Sequence, residues 1–162
     1  MAEQTTVLQL VLDYLEMGNT ISTIDERIAI QKVVCLTQEA GLPLGYGYNW
    51  YVRGPYSPGL AADYYQIARL RPSVETDAKK FALTASALAA VEKVKSVMFV
   101  PQGVGLDRVR WLELVASIAF LIKRYRLGRQ AAAQKIAVSK PLLFPHFDAA
   151  YDALQAAGFG LE

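Results

Sequence analysis

The chain of 162 residues holds one histidine and one cysteine, and neither stands in company that would make it reactive. His146, in FPHFD, follows a proline and lies between aromatics where a helix begins, a setting for a packed ring rather than a general base. Hydrolytic chemistry needs a nucleophile, a base and a group that orients the base. Cys35, in VVCLT, lies inside an apolar helical pattern and reads as a small buried hydrophobe. A lone cysteine forms no internal disulfide and no cysteine-based zinc site. A metal would have to be held by carboxylates alone, and none are clustered. The acid pairs Asp25/Glu26 and Asp148/Asp152 read as helix starts and exposed faces, where a first-turn carboxylate suits the helix dipole. The glycines of GLPLGYGYNW precede no helix directly and have no lysine within phosphate reach. No catalytic constellation, cofactor site or metal site is expected, and the protein reads as a non-enzyme.

Two other features carry recognition chemistry. The first is YVRGPYSPGL, residues 51–60, with two prolines, two glycines, two tyrosines and an arginine. Gly54-Pro55 is turn punctuation. Ser57 can cap a helix that starts at Pro58, where the missing N–H costs nothing. Prolines on both sides of Tyr56 restrict its backbone and fix its direction beside Arg53. Rigid aromatics and arginines are the common anchors of protein interfaces, so Tyr51, Arg53, Tyr56 and Tyr64 are the candidate partner-binding residues. Tyr46, Tyr48, Trp50, Tyr51, Tyr56, Tyr64 and Tyr65 put seven aromatics within twenty residues, a cluster that either packs the core or stacks a base or sugar. The second feature is charge. Residues 1–40 hold six acids against two bases, whereas 105–140 hold eight bases against two acids. Arg108, Arg110, Lys123, Arg124, Arg126 and Arg129 form a candidate basic patch for nucleic acid or an acidic protein.

The elements that must position these residues are mostly helical. With 53% hydrophobic and 20% charged residues, the chain has apolar material for a full core in one domain, residues 1–162. Helical spacing predicts helices over 3–17, about 24–40, 58–70, 85–97, 108–125, 128–138 and 147–157, with Gly18-Asn19 ending the first and Thr23 or Asp25, Thr84 and Asp107 as caps. Tyr48, Trp50 and Val52 alternate with Asn49, Tyr51 and Arg53, which predicts a strand. A second short strand is expected over Lys79–Leu83. Trp111 to Ile122 is apolar nearly all round, the mark of a central buried helix, and too short to span a bilayer. No secretory signal pattern is visible, so the expected setting is the cytoplasm. The fold class is mainly α: a single multi-helix domain with a small two-stranded β element, whose first half is compatible with a winged-helix order.

Four pieces of the sequence together resemble a known family. They are Gln31-Lys32 leading an apolar helix, a tyrosine-rich strand with Gly54-Pro55-Tyr56-Ser57-Pro58 and Leu60, the helix WLELVASIAFLI, and Lys140-Pro141 before the last helix. Over roughly residues 25–157 the chain resembles the YwgA-like proteins and is more distantly similar to the SocA-like, or Panacea, antitoxin domain. In that more distant group a Lys-Tyr-Gly-Pro-like joint is typical, where Val52-Arg53 stand here. The resemblance implies a helical domain that acts by binding: an antitoxin- or adaptor-like module whose partner is a toxin, protease or defence component. Two other readings stand beside it. One is a winged-helix-like regulator touching DNA phosphates through the 105–140 region. The other is a small-ligand or nucleotide binder using the aromatics of 46–65. A homodimer through the Trp111 helix is a further reading if one face of that helix is exposed.

Overall fold

The computed structural model describes residues 2–18 and 20–161. Helices α1 (Ala2–Tyr14) and α2 (Ile24–Glu39) come first. A hairpin of β1 (Asn49–Tyr51) and β2 (Gly54–Tyr56) follows, then α3 (Pro58–Arg69), α4 (Arg71–Ala78), α5 (Ala85–Val97), α6 (Arg108–Lys123), α7 (Arg129–Ser139), a 3-10 turn at Phe144–His146 and α8 (Phe147–Ala156). The mainly α class with one small antiparallel sheet is therefore as the sequence predicts.

The caps explain the boundaries. At Thr23 a capping box forms, with Thr23 Oγ1 accepting from the Glu26 N–H at 3.1 Å and the Glu26 carboxylate accepting from the Thr23 N–H at 3.0 Å. Ser57, Thr84 and Asp107 likewise accept from amides of the first turns of α3, α5 and α6. The first helix ends at Tyr14, earlier than the spacing suggests, and Glu16 turns the chain through the left-handed region at φ 57; Asn19 lies outside the described residues.

Helix α6 is the axis of the core. Every residue from Trp111 to Ile122 is buried, and Trp111 donates its indole N–H to the Val97 carbonyl at 2.8 Å. Its broadest contact is with α2, which is itself buried on most of its circumference. One continuous hydrophobic cluster runs from Leu8 to Leu161. With no exposed face between Trp111 and Ile122, this helix has nothing to offer a second copy of the chain.

The second strand lies elsewhere than expected. Residues 79–83 are not a strand, because the amides of Lys79, Lys80 and Phe81 donate back to Glu75, Asp77 and Ala78 and close the end of α4. Arg71-Pro72, which reads as a stop after α3, opens α4, where proline in the first turn gives up no hydrogen bond. The partner of β1 is instead Gly54–Tyr56, paired antiparallel with Asn49 opposite Tyr56, Trp50 opposite Pro55 and Tyr51 opposite Gly54. Both strands sit in one hairpin between α2 and α3, so the helix–strand–helix–strand–helix order of a winged helix is not formed.

Strand β2 is wedged between α2 and α6. The approach is so close that a Cβ on Gly54 would stand 2.5 Å from Ser117 Oγ, and Gly54 adopts φ +87. Only glycine meets both demands. Gly54→Ala is expected to cost on the order of 2–4 kcal/mol, from strained backbone and overpacking together. Adding Ser117→Ala should recover only the steric share, because the positive φ remains; urea denaturation of the single and double variants measures both.

Candidate functional site

The hairpin joins the body of the protein through main-chain atoms held by buried side chains. From α2, Lys32 donates its ammonium to the Pro55 carbonyl at 2.8 Å. Its neighbour Gln31 binds Ser57 twice, donating to the carbonyl and accepting from the N–H, both at 2.9 Å. From the far end of α7, Lys140 Nζ donates to the Val52 carbonyl at 3.1 Å and to Glu113 Oε2 of α6 at 2.7 Å. Lys32, Gln31, Glu113 and Lys140 are all buried. Two turns along α2 from Gln31, Gln38 repeats the device, accepting from the amides of Leu44 and Tyr46 and donating to the Tyr46 carbonyl. Tyr48 lies between them, its hydroxyl donating to the Gln31 carbonyl at 2.9 Å. Thus Gln31-Lys32, Gly54–Pro58, the Trp111–Ile122 helix and Lys140-Pro141, far apart in sequence, converge on one hairpin.

What this mount presents is a two-residue tip, Val52-Arg53, between two depressions. The larger, about 420 Å³, is walled by Tyr51, Tyr56, Tyr64 and Tyr65 with Ile24 and Arg27 of α2. All four candidate partner-binding residues therefore line one groove. Tyr51 packs edge-on against Tyr56 at 5.4 Å between ring centroids, and Tyr64 lies 5.1 Å from Tyr65. Tyr51, Val52, Tyr65 and Ile24 are exposed apolar side chains, Val52 at 93%. Arg53 is exposed and makes no hydrogen bond or ion pair among the described residues. The second depression, about 320 Å³, lies across the tip and is edged by Leu142, Pro141 and Arg110. A third groove of about 640 Å³ runs between α1 and the α4–α5 connection. It is mostly aliphatic and holds none of the residues with recognition chemistry.

The aromatic cluster of 46–65 divides by this geometry. Tyr46 donates to Asp63 at 2.7 Å and Tyr48 packs near Phe120, so both belong to the interior. Trp50 lies beneath the ammonium groups of Lys135 and Lys140. Of the four groove tyrosines, Tyr64 is buried and backs the groove from the core, Tyr56 is half-buried, and Tyr51 and Tyr65 remain exposed, which divides rather than concentrates the stacking platform the sequence suggests.

The six candidate basic-patch residues are likewise dispersed. Arg108 and Arg110 stand at one end of α6 and Lys123 and Arg124 at the other, roughly 20 Å away for a helix of this length. Arg108 covers Phe99, Lys123 donates to the Phe159 carbonyl, Arg124 pairs with Glu39, and Arg129 pairs with Asp148 over the Tyr151 ring. Arg126 sits at φ 58 in the turn after α6. His146 ends the 3-10 turn, and Cys35 is buried, its thiol pushed up by burial. Among the described residues no three metal-ligating side chains cluster, and no helix is long and apolar enough to cross a membrane.

Burial pushes the Lys32 ammonium down from its ordinary value to about 8, against the pull of Glu113. In the sequence Lys32 stands as half of the Gln31-Lys32 motif and Glu113 as an acid within the otherwise apolar Trp111–Ile122 run. The signal for both was an ionisable residue within an otherwise apolar helix, a placement that calls for a buried partner. Tyr65 stands in the aromatic cluster, but nothing comparable marks Ile24 and Arg27, whose share in the groove depends on how α2 and α3 meet.

No family model matches the chain, and neither a curated protein nor a solved structure does.

Below pH 8 Lys32 is protonated in both folded and unfolded chains, and the fold bears the full cost of its burial. Between about pH 8 and 10.5 only the unfolded chain keeps that proton, so raising the pH through this window stabilises the fold, by up to about 3 kcal/mol. Above pH 10 the trend reverses, because burial holds Tyr64 neutral up to about 12 while an unfolded tyrosine ionises. Urea midpoints should rise from pH 7.5 to 9.5 in the wild type and fall slightly over that range in Lys32→Met, because the buried Cys35 thiol keeps its proton while an unfolded thiol ionises. Lys140→Met alone and Glu113→Gln alone should each cost about 3–5 kcal/mol, since each strands a buried partner. The pair Lys140→Met/Glu113→Gln should cost less than their sum, which a double-mutant cycle reads directly.

Proposed function

We propose that the protein is a non-enzymatic binding module, antitoxin- or adaptor-like, which contacts another protein through the hairpin tip and the tyrosine groove beside it. The observation that carries this reading is the contrast between mount and tip. The hairpin's carbonyls are held by two buried lysines and a buried glutamine, yet the side chains it raises, Tyr51, Val52 and Arg53, stay exposed, Tyr51 touching Tyr56 edge-on and Arg53 making no hydrogen bond or ion pair among the described residues. A rigid backbone that displays exposed aromatics and an arginine loses little freedom on binding, and these residue types dominate interface hot spots.

The resemblance to the YwgA-like proteins, and more distantly to the SocA-like or Panacea domain, supports the same direction, since the motifs that carry it are those that build the mount. A toxin, protease or defence component in the cytoplasm is the partner this reading names. The DNA-regulator reading draws less support, because the candidate phosphate contacts are separated along α6 and mostly engaged within the fold.

Affinity purification of the tagged chain from its native host, followed by mass spectrometry, should recover one specific protein. Arg53→Glu and Tyr65→Ala should each weaken that complex at least tenfold while leaving thermal stability within about 1 kcal/mol, as suits exposed positions. Recovery of no specific protein, or retention of it by both variants, overturns the proposal.

A further inference from the structure

Resting on that reading of the groove, we infer that its occupant is a short acidic segment of the partner, with carboxylates set around one apolar side chain. The groove receives three cations, Arg27, Lys32 and Arg53, and no carboxylate lines it. Of the acids on neighbouring elements, Asp25 is exposed on the first turn of α2 outside the groove lining, and three others face other work. Glu26 closes the cap at Thr23, Asp63 accepts from Tyr46, and Glu113 holds Lys140. Two accessible arginines, with the buried Lys32 ammonium behind them, thus face one depression with no anion on its walls.

Their geometry assigns them different parts. Arg53 is exposed and unpaired at the rim, so its planar fork is available for a carboxylate in two-point contact. Arg27 spends one nitrogen on the Ile21 carbonyl at 2.7 Å, which fixes the guanidinium at the opposite wall. Lys32 lies deeper and spends one of its three donors on Pro55. The same groove holds Tyr65, Tyr51 and Ile24, all exposed, an apolar patch beside the charged side chains. An acidic segment without an apolar residue would leave that patch wet, and an apolar segment without acids would leave the arginines unmatched.

A single nucleic-acid strand also offers anions and flat rings. The peptide is favoured because aliphatic Val52 and Ile24, not a second row of cations, occupy the rim beside Arg53. A strand-binding groove instead tracks a phosphate backbone with cations along its length.

The test is selection from a random dodecapeptide phage library on the immobilised wild-type chain, with counter-selection on Arg53→Glu. Enriched peptides are expected to carry at least two Asp or Glu around a Leu, Ile or Phe. The best of them, synthesised with a fluorescent label, should bind the wild type at least tenfold tighter than Arg53→Glu or Tyr65→Ala. Its affinity should weaken severalfold from 50 to 300 mM NaCl, and its Lys-for-Glu counterpart should not bind. Enrichment without acids, no enrichment over the counter-selected variant, or tighter groove-dependent binding of a labelled dT12 strand would each overturn the inference. If a host protein still depends on Arg53 and Tyr65 while the library yields no acidic consensus, the binding-module reading survives and only the acidic segment is lost.

Discussion

Two ammonium groups taken out of water and aimed at the carbonyls of one hairpin are what the rest of this fold is arranged around. Lys32 reaches Pro55 from α2, and Lys140 reaches Val52 from the end of α7. Buried charge is costly unless it is paired and fully bonded, and only Lys140 has a carboxylate, Glu113, in contact. The helices must therefore hold their positions closely. If α2 and α6 drift apart, Lys32 loses Pro55 and Glu113 carries Lys140 away from Val52. The close α2–α6 packing and the glycine at 54 follow from this demand, because only a strand without a side chain at that point fits between them.

The same arrangement explains why so small a sheet persists. A two-stranded hairpin is marginal by itself, and β2 is three residues long with a proline in its middle. It survives here because side chains replace the missing strands. Gln31 offers Ser57 a donor and an acceptor as a neighbouring strand would, and Gln38 does the same for Tyr46. Helix α2 thus serves one edge of the loop and hairpin, at positions seven apart on a single face.

These facts separate what the sequence discloses from what it hides. The helices and their caps are local matters: Thr23, Ser57, Thr84 and Asp107 each stand just before a periodic run, and the near-uniform apolarity of Trp111–Ile122 announces a buried axis. Tyr51, Arg53 and Tyr56 lie together because the prolines around Tyr56 fix a short stretch, whereas Tyr64 backs the groove from inside α3. The second strand was not legible, since Gly54-Pro55 has the composition of a turn and its strand character comes from the helices on either side. Lys79–Leu83 failed in the opposite way: its amides were already committed to the end of α4. The basic stretch 105–140 misled because proximity in sequence on a long helix is distance in space.

The hydrogen bonds of the mount reach only main-chain atoms of the hairpin and its exit. Its partners are the carbonyls of Val52, Pro55 and Ser57 and the N–H of Ser57, which every residue type supplies, save that proline lacks the N–H. The side chains at 51, 52 and 53 are therefore mechanically uncoupled from the anchorage beneath them. The hairpin behaves as a tool holder, in which the tip is an exchangeable bit: its chemistry is free to diversify toward new surfaces while the buried lysines and glutamines keep the same grip.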